Sequence, residues 1–172
     1  MQIPAHLAIA RSYIGLQEVP GPGFNARIQA MWYALPGGKW YWTEVGKGDD
    51  SKLPWCGMGA ATFCREAGIP FPKNYASARA WLEWGTKIDF PTVGAFVIFE
   101  RGPKQGHIGV IDGQYANGNL RVLGANQRDG VRYSAFTRDR VLGYRLPPGM
   151  AIPTIAVLPV CAGDCDVSTN EA

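Results

Sequence analysis

"HIGVIDGQYANGNLRVLGAN", His107 to Asn126, is the stretch on which the fold turns. Two runs rich in β-branched residues flank Asn117-Gly118, the strongest short hairpin signal, so the spacing predicts two antiparallel strands joined by a two-residue primed turn. Pairing Ala116 with Asn119 sets Asn126 opposite Gly109. Side chains on one face recur every second residue, so His107 shares a face with Gly109 and, across the ladder, with Asn126. His107 and Asn126 become diagonal neighbours with Cα atoms roughly 7–8 Å apart, within reach of a side-chain hydrogen bond. Ile111, Tyr115, Leu120 and Val122 lie on the same face, which is therefore expected to pack against helices. A one-residue slip would send Asn126 to the opposite face.

Downstream, "VRYSAF" and "VLGYRL" read as further strands, and upstream "VGAFVIF" reads as another. Before Pro91 the pattern is helical. Leu7, Ala10, Arg11 and Ile14 recur at helical spacing over Pro4–Ile14, with Gly15 as the stop. Asn25 follows the Pro/Gly turn "EVPGPGF" and is placed to cap a helix through "ARIQAMWYA". Leu35 to Lys52 reads as loop. A helix begins near Pro54 and ends at Gly68, and "NYASARAWLEWG" predicts another with Trp81 and Trp84 on its buried side. Helices first and strands after is the α+β pattern. Residues 1–147 form the expected domain, and 148–172 a peripheral or flexible tail.

Composition narrows the function classes. The 172 residues carry 17 Lys+Arg against 14 Asp+Glu, a net charge of +3. No Lys/Arg cluster marks a nucleic-acid groove. No apolar run approaches the ~18 residues of a membrane span, so no stable insertion is expected. The first residues lack the basic start and unbroken apolar stretch of a secretory signal, so synthesis in a cytoplasm is expected. Four cysteines do not make a disulfide scaffold. Two histidines without paired CxxC motifs argue against structural zinc, and neither metal nor cofactor is expected. A monomer is expected.

Chemistry enters at "LPWCGMGAATFCREAG", Leu53 to Gly68. Only a thiolate attacks well, and a helix N-terminus and an imidazole each lower a thiol pKa. Cys56 falls in the first turn of the expected helix, where that field acts; Cys64, two turns later, reads as core. His107 is the candidate base and Asn126 the acceptor that fixes its tautomer. Backbone N–H groups of Cys56 and Gly57 are the candidate oxyanion donors. Together these residues spell thiol acyl transfer. Trp42, Asp50 and Trp55 are candidate substrate-binding residues, with packing as the alternative for the aromatics and a solvated loop charge for Asp50. Cys161 and Cys165 read as tail thiols or a small local disulfide.

"PWCGMGAATFC", "GHIGVIDG", "VLGANQ" and "RVLGYRLP" resemble the cysteine/histidine cell-wall peptidases of the CHAP and NlpC type. "IGLQEVPGPGFNARIQ" and "SARAWLEWG" fit the compact phage and bacterial branch of these, and the likeness runs from about Ala8 to Pro147. It implies a papain-like α+β fold and a Cys56, His107, Asn126 triad. It also implies hydrolysis of amide bonds in the peptide stem of peptidoglycan, as in an endolysin. The alternatives are cleavage of the sugar–stem amide, an exported antibacterial toxin on the same fold, an acyltransferase or deamidase, and an inactive wall-binding domain. Acting on the wall would then follow release or export. Two positions depart from the pattern: Gly124 stands where some relatives carry a Glu, and "PTVGAF" holds no acid before the strand that precedes the histidine.

Overall fold

A computed structural model describes residues 2–154, 157–163 and 167–168. The chain is α+β: helices α1 (Ala5–Ser12), α2 (Ala26–Tyr33), α3 (Gly38–Trp40) and α4 (Cys56–Glu66) precede the sheet. The strands are β1 (Thr86–Ile88), β2 (Phe96–Glu100), β3 (Gly106–Gln114), β4 (Leu120–Gly124), β5 (Arg132–Phe136) and β6 (Val141–Leu146). They form one sheet in the order β1-β6-β2-β3-β4-β5, antiparallel at each neighbour pair. Asn25 caps α2 as its sequence suggests, its Oδ1 accepting from the Arg27 N–H at 2.9 Å. The supposed loop of residues 35–52 instead holds α3, a π-helical turn at Tyr41–Val45 and a 3-10 turn at Asp50–Lys52. Single turns among glycines carry no periodicity to read. Ala78–Glu83 is 3-10 rather than α, and β1 is a three-residue edge strand that the sequence reading passed over.

The central hairpin forms, with a different turn. Tyr115 N–H donates to Asn119 O at 2.9 Å and Gly118, at φ +84°, donates to Tyr115 O at 2.9 Å. The loop is thus three residues with glycine in the left-handed position, and Asn117 Oδ1 accepts from Asn119 N–H. That shifts the pairing by one. A bulge at Asp112 shifts it again, because Ile111 faces Val122 while Gly113 faces Arg121. Two slips preserve the face and move the register by two, so Gly109 comes level with Gly124 rather than Asn126.

Which face meets the helices is the larger correction. Phe96, Ile98, Ile108, Val110 and Leu123 pack with α1, α2 and α4 in one core. Ile111, Leu120 and Val122, expected under the helices, form a second core with Val97, Phe99 and Phe136 on the reverse face. Both faces are apolar, so alternation alone does not choose between them. Close approach does: a Cβ on Gly59 of α4 would lie 2.3 Å from Ala125 Cβ, which draws the helix onto the Leu123/Ala125 side. Phe99 and Phe136 stack at 4.3 Å although their strands stand three apart, about 14 Å in a flat sheet, so the sheet curls around the second core. The described part of the tail joins this side: Leu158 is in the second core, and Val160 and Val167 bridge to Gln114 and Ala135.

Candidate functional site

Cys56 is the first residue of α4, two positions later than a proline-led start would put it. Trp55 precedes it, fully buried, with its indole N–H donating to Glu18 Oε1 at 2.6 Å. Gly57 lets the main chain of residues 75–76 cross the helix start: a Cβ there would lie 2.2 Å from Tyr75 O. Burial pushes the Cys56 thiol up from its ordinary pKa, opposed by the backbone N–H groups of Ile108 and Gly57 and by the Arg101 guanidinium. The net direction is therefore opposite to the one expected for an activated nucleophile. Cys64 is pushed up by burial with no opposing group. Two sulfurs on one helix thus differ in polar surroundings, and only Cys56 has donors aimed at it.

His107 does not join Cys56. It pairs with Phe99 across β2 and β3, so its side chain leaves the sheet on the reverse face. There it is fully buried and stacks on Phe136 at 5.4 Å and Phe99 at 6.4 Å. Cys56 belongs to the helix-side core, beside the main chain of Ile108. The strand backbone lies between sulfur and imidazole. The expected thiolate–imidazolium pair is absent from this arrangement, and its cause is the face assignment corrected above.

Asn126 is buried on the turn after β4 and adopts φ +56°, followed by Arg128 at +49° and Asp129 at +61°. Three non-glycine residues in the left-handed region mark a strained turn of the kind that functional sites retain. The residue that reaches the imidazole is its neighbour. Gln127, fully buried, presents Oε1 to His107 Nε2 at 3.1 Å and donates its amide N–H groups to Arg132 O and Val122 O. Donation to two carbonyls fixes which amide atom is oxygen, so Nε2 carries the proton in this hydrogen bond. The observed pairing, continued past Leu123, brings Asn126 level with His107, but β4 ends at Gly124 and Asn126 turns out of the ladder, so the alternation breaks and Gln127 reaches the imidazole.

The proposed substrate contacts are internal. Trp42 is buried and packs edge-on to Phe24 at 5.7 Å. Asp50 is buried and accepts from Asn25 N–H at 2.7 Å, and Trp55 is committed to Glu18. Glu18 itself is pushed up to about 7, by burial first and then by Asp129, Asp50 and Asp49, with the Trp55 hydrogen bond pulling the other way. Its own N–H donates to Asp129 O at 2.8 Å, tying it to the strained turn.

The surface that does reach Cys56 is a cleft of about 370 Å³ bordered by Ser77, Arg101, Lys104 and Gly106. Its outer wall is the β2–β3 loop, held by Arg79, which donates to Gln105 O at 3.0 Å and Gly102 O at 2.6 Å. "ERGPKQGH" was the available signal: a Gly/Pro turn with two cations that must sit at the mouth of β3. Among the described residues no group of three His, Cys, Asp or Glu is placed to hold a metal ion, and no helix is long and apolar enough to cross a membrane. Cys165 lies outside the described residues. No family model and no curated protein matches this chain.

Proposed function

We propose that this chain is a papain-like peptidoglycan hydrolase that cuts amide bonds of the peptide stem, with Cys56 Sγ as the attacking atom. The observation that carries the reading is the setting of that sulfur. It stands at the first residue of an 11-residue helix, borders an open cleft, and receives the N–H groups of Ile108 and Gly57. The ordered likeness of "PWC", "GHIG" and "GANQ" to cell-wall peptidases supplies the substrate class. Attack joins Sγ to the amide carbon, the thiol proton goes to the leaving amine through a base, and water then releases the acyl group.

In this arrangement His107 stands across the sheet from Sγ, so its service as base requires residue 107 to leave its pairing with Phe99 as well as the Gln127 hydrogen bond and the Phe99 and Phe136 rings. A second reading, a wall-binding domain without activity, is favoured by one observation: the imidazole is packed among phenylalanine rings on the face of the sheet away from Cys56.

Mass spectrometry of muropeptides after digestion separates the two. The hydrolase reading expects stem fragments with the wild type and none with Cys56→Ala or His107→Phe, the latter chosen to keep the ring stack. Binding to sacculi with no fragment from the wild type sinks the hydrolase reading.

A further inference from the structure

The Cys56 cleft has two lips far apart in sequence: Ala76, Ser77 and Ala78 form one, and Gln105 and Gly106 of the β2–β3 loop belong to the other. Arg79 directly follows the first lip and binds the second. Its Nε donates to Gln105 O at 3.0 Å and its Nη2 to Gly102 O at 2.6 Å. The Glu100 carboxylate, 3.5 Å from Nη2, holds the same guanidinium from the base of the loop. Gly106 makes room for the crossing, since a Cβ there would lie 3.3 Å from Arg79 Cγ and 3.0 Å from Phe99 O. The loop closes on itself where Arg101 N–H donates to Gln105 O at 3.3 Å, and Pro103, Lys104 and Gln105 stand exposed. One side chain thus fastens an exposed turn to the opposite wall of the cleft.

We propose that Arg79 is a strap that sets the width of the Cys56 cleft and so selects substrates by the bulk beside the amide presented to the sulfur. A guanidinium carries its donors in a rigid planar fork, so holding two carbonyls at once fixes both the distance and the tilt of the loop; an ammonium on a flexible stem fixes neither. The inference rests on Cys56 as the attacking atom and deepens that reading. Arg79 acts through the loop and is a positioning residue. Stems with a small side chain next to the cut amide rank ahead of those with a large or branched one.

The test needs no hydrolysis. The full chain is treated with N-methylmaleimide and, separately, with N-(1-pyrenyl)maleimide, two neutral reagents that share a reacting group and differ in bulk. The rate at Cys56 is followed by peptide mass spectrometry, and the bulky-to-small ratio is divided by that of N-acetylcysteine. In the wild type the ratio is expected to fall about tenfold or more below the reference, because the bulky reagent enters only when the loop opens. Arg79→Ala removes two charge-assisted hydrogen bonds and is expected to raise the ratio by about fivefold or more. Arg79→Lys keeps the charge without the fork and gives part of that rise. Cys64, buried on the same helix, reports loosening of the whole fold. A wild-type ratio at the reference, a ratio that both substitutions leave unchanged, or no labelling of Cys56 by either reagent overturns the proposal. So does a rise in Arg79→Ala that Cys64 shares, which would make Arg79 a general support of the fold. Bulk selection that is lost with Arg79, in a chain that cuts no stem, leaves the strap standing and removes the hydrolase reading. Stem cleavage by a wild type without bulk selection does the reverse.

Discussion

Replacing Glu18 by glutamine tests how the start of α4 is held. Glu18 accepts the Trp55 indole N–H at 2.6 Å, and Trp55 immediately precedes Cys56. Burial and the nearby Asp129, Asp50 and Asp49 push the carboxyl from 4.5 up to about 7. A raised folded-state pKa means that stability is fully present below the unfolded value, near 4.5, and is lost as pH rises toward 7. Fully converted, that shift is worth about 3 kcal/mol; Glu18 is only part-buried, and solvent screening brings it to roughly 1 kcal/mol. Glutamine keeps the acceptor for Trp55 and discards the charge. Glu18→Gln is therefore expected to raise Tm by about 2–4 °C at pH 8 for a chain of this size, and to leave it unchanged at pH 4. Calorimetry of both proteins across that range reads the difference. A variant less stable than wild type at pH 8, or a gain equal at both pH values, refutes the reasoning, because either outcome means the carboxylate is not strained by its neighbours.

Other consequences follow from the same contacts. Gly59→Ala drives a methyl to within 2.3 Å of Ala125 Cβ. The overpacking cost of about 1–3 kcal/mol exceeds the roughly 1 kcal/mol gained in helix propensity, so the urea midpoint falls; adding Ala125→Gly recovers most of the loss. Long-range 1H–15N spectra should show His107 as the Nε2–H tautomer in the wild type. Gln127→Ala should erode that preference, whereas Asn126→Ala leaves it intact; the opposite pattern restores Asn126 as the orienting residue. Removing Asp112, which pairs with Arg11 and Arg121 and accepts from Tyr133, strands two guanidiniums, so Asp112→Ala should cost about 3 kcal/mol in chemical denaturation.

Local signals were legible in the sequence and long-range ones were not. The Asn25 cap, the helix with Cys56 in its first turn, and the strand runs after Pro91 are all short-range patterns, and each appears in the fold. Asn117-Gly118 announced the hairpin but not the length of its turn, and no residue-level rule announced the bulge at Asp112. Those two slips cancelled for the face; Gln127 rather than Asn126 meets the imidazole because the strand ends at Gly124 and Asn126, at φ +56°, breaks the alternation. Choosing the helix-facing side was beyond alternation, since Ile108 and Val110 are as apolar as Ile111 and Val122. The choice is made by Gly59 against Ala125, a contact between residues far apart in sequence. Trp42, Asp50 and Trp55 invited a binding role by type alone, and burial gave them structural work.

The most direct test of Cys56 as the reacting atom is to catch its acyl form. The chain is mixed with stem fragments, quenched in acid within the first turnover, and digested for mass spectrometry. The account predicts a stem acyl group on the Cys56 peptide, lost on hydroxylamine treatment and absent from Cys56→Ala. Stem cleavage that persists in Cys56→Ala, or an acyl group found on Cys64 or Cys161, contradicts it.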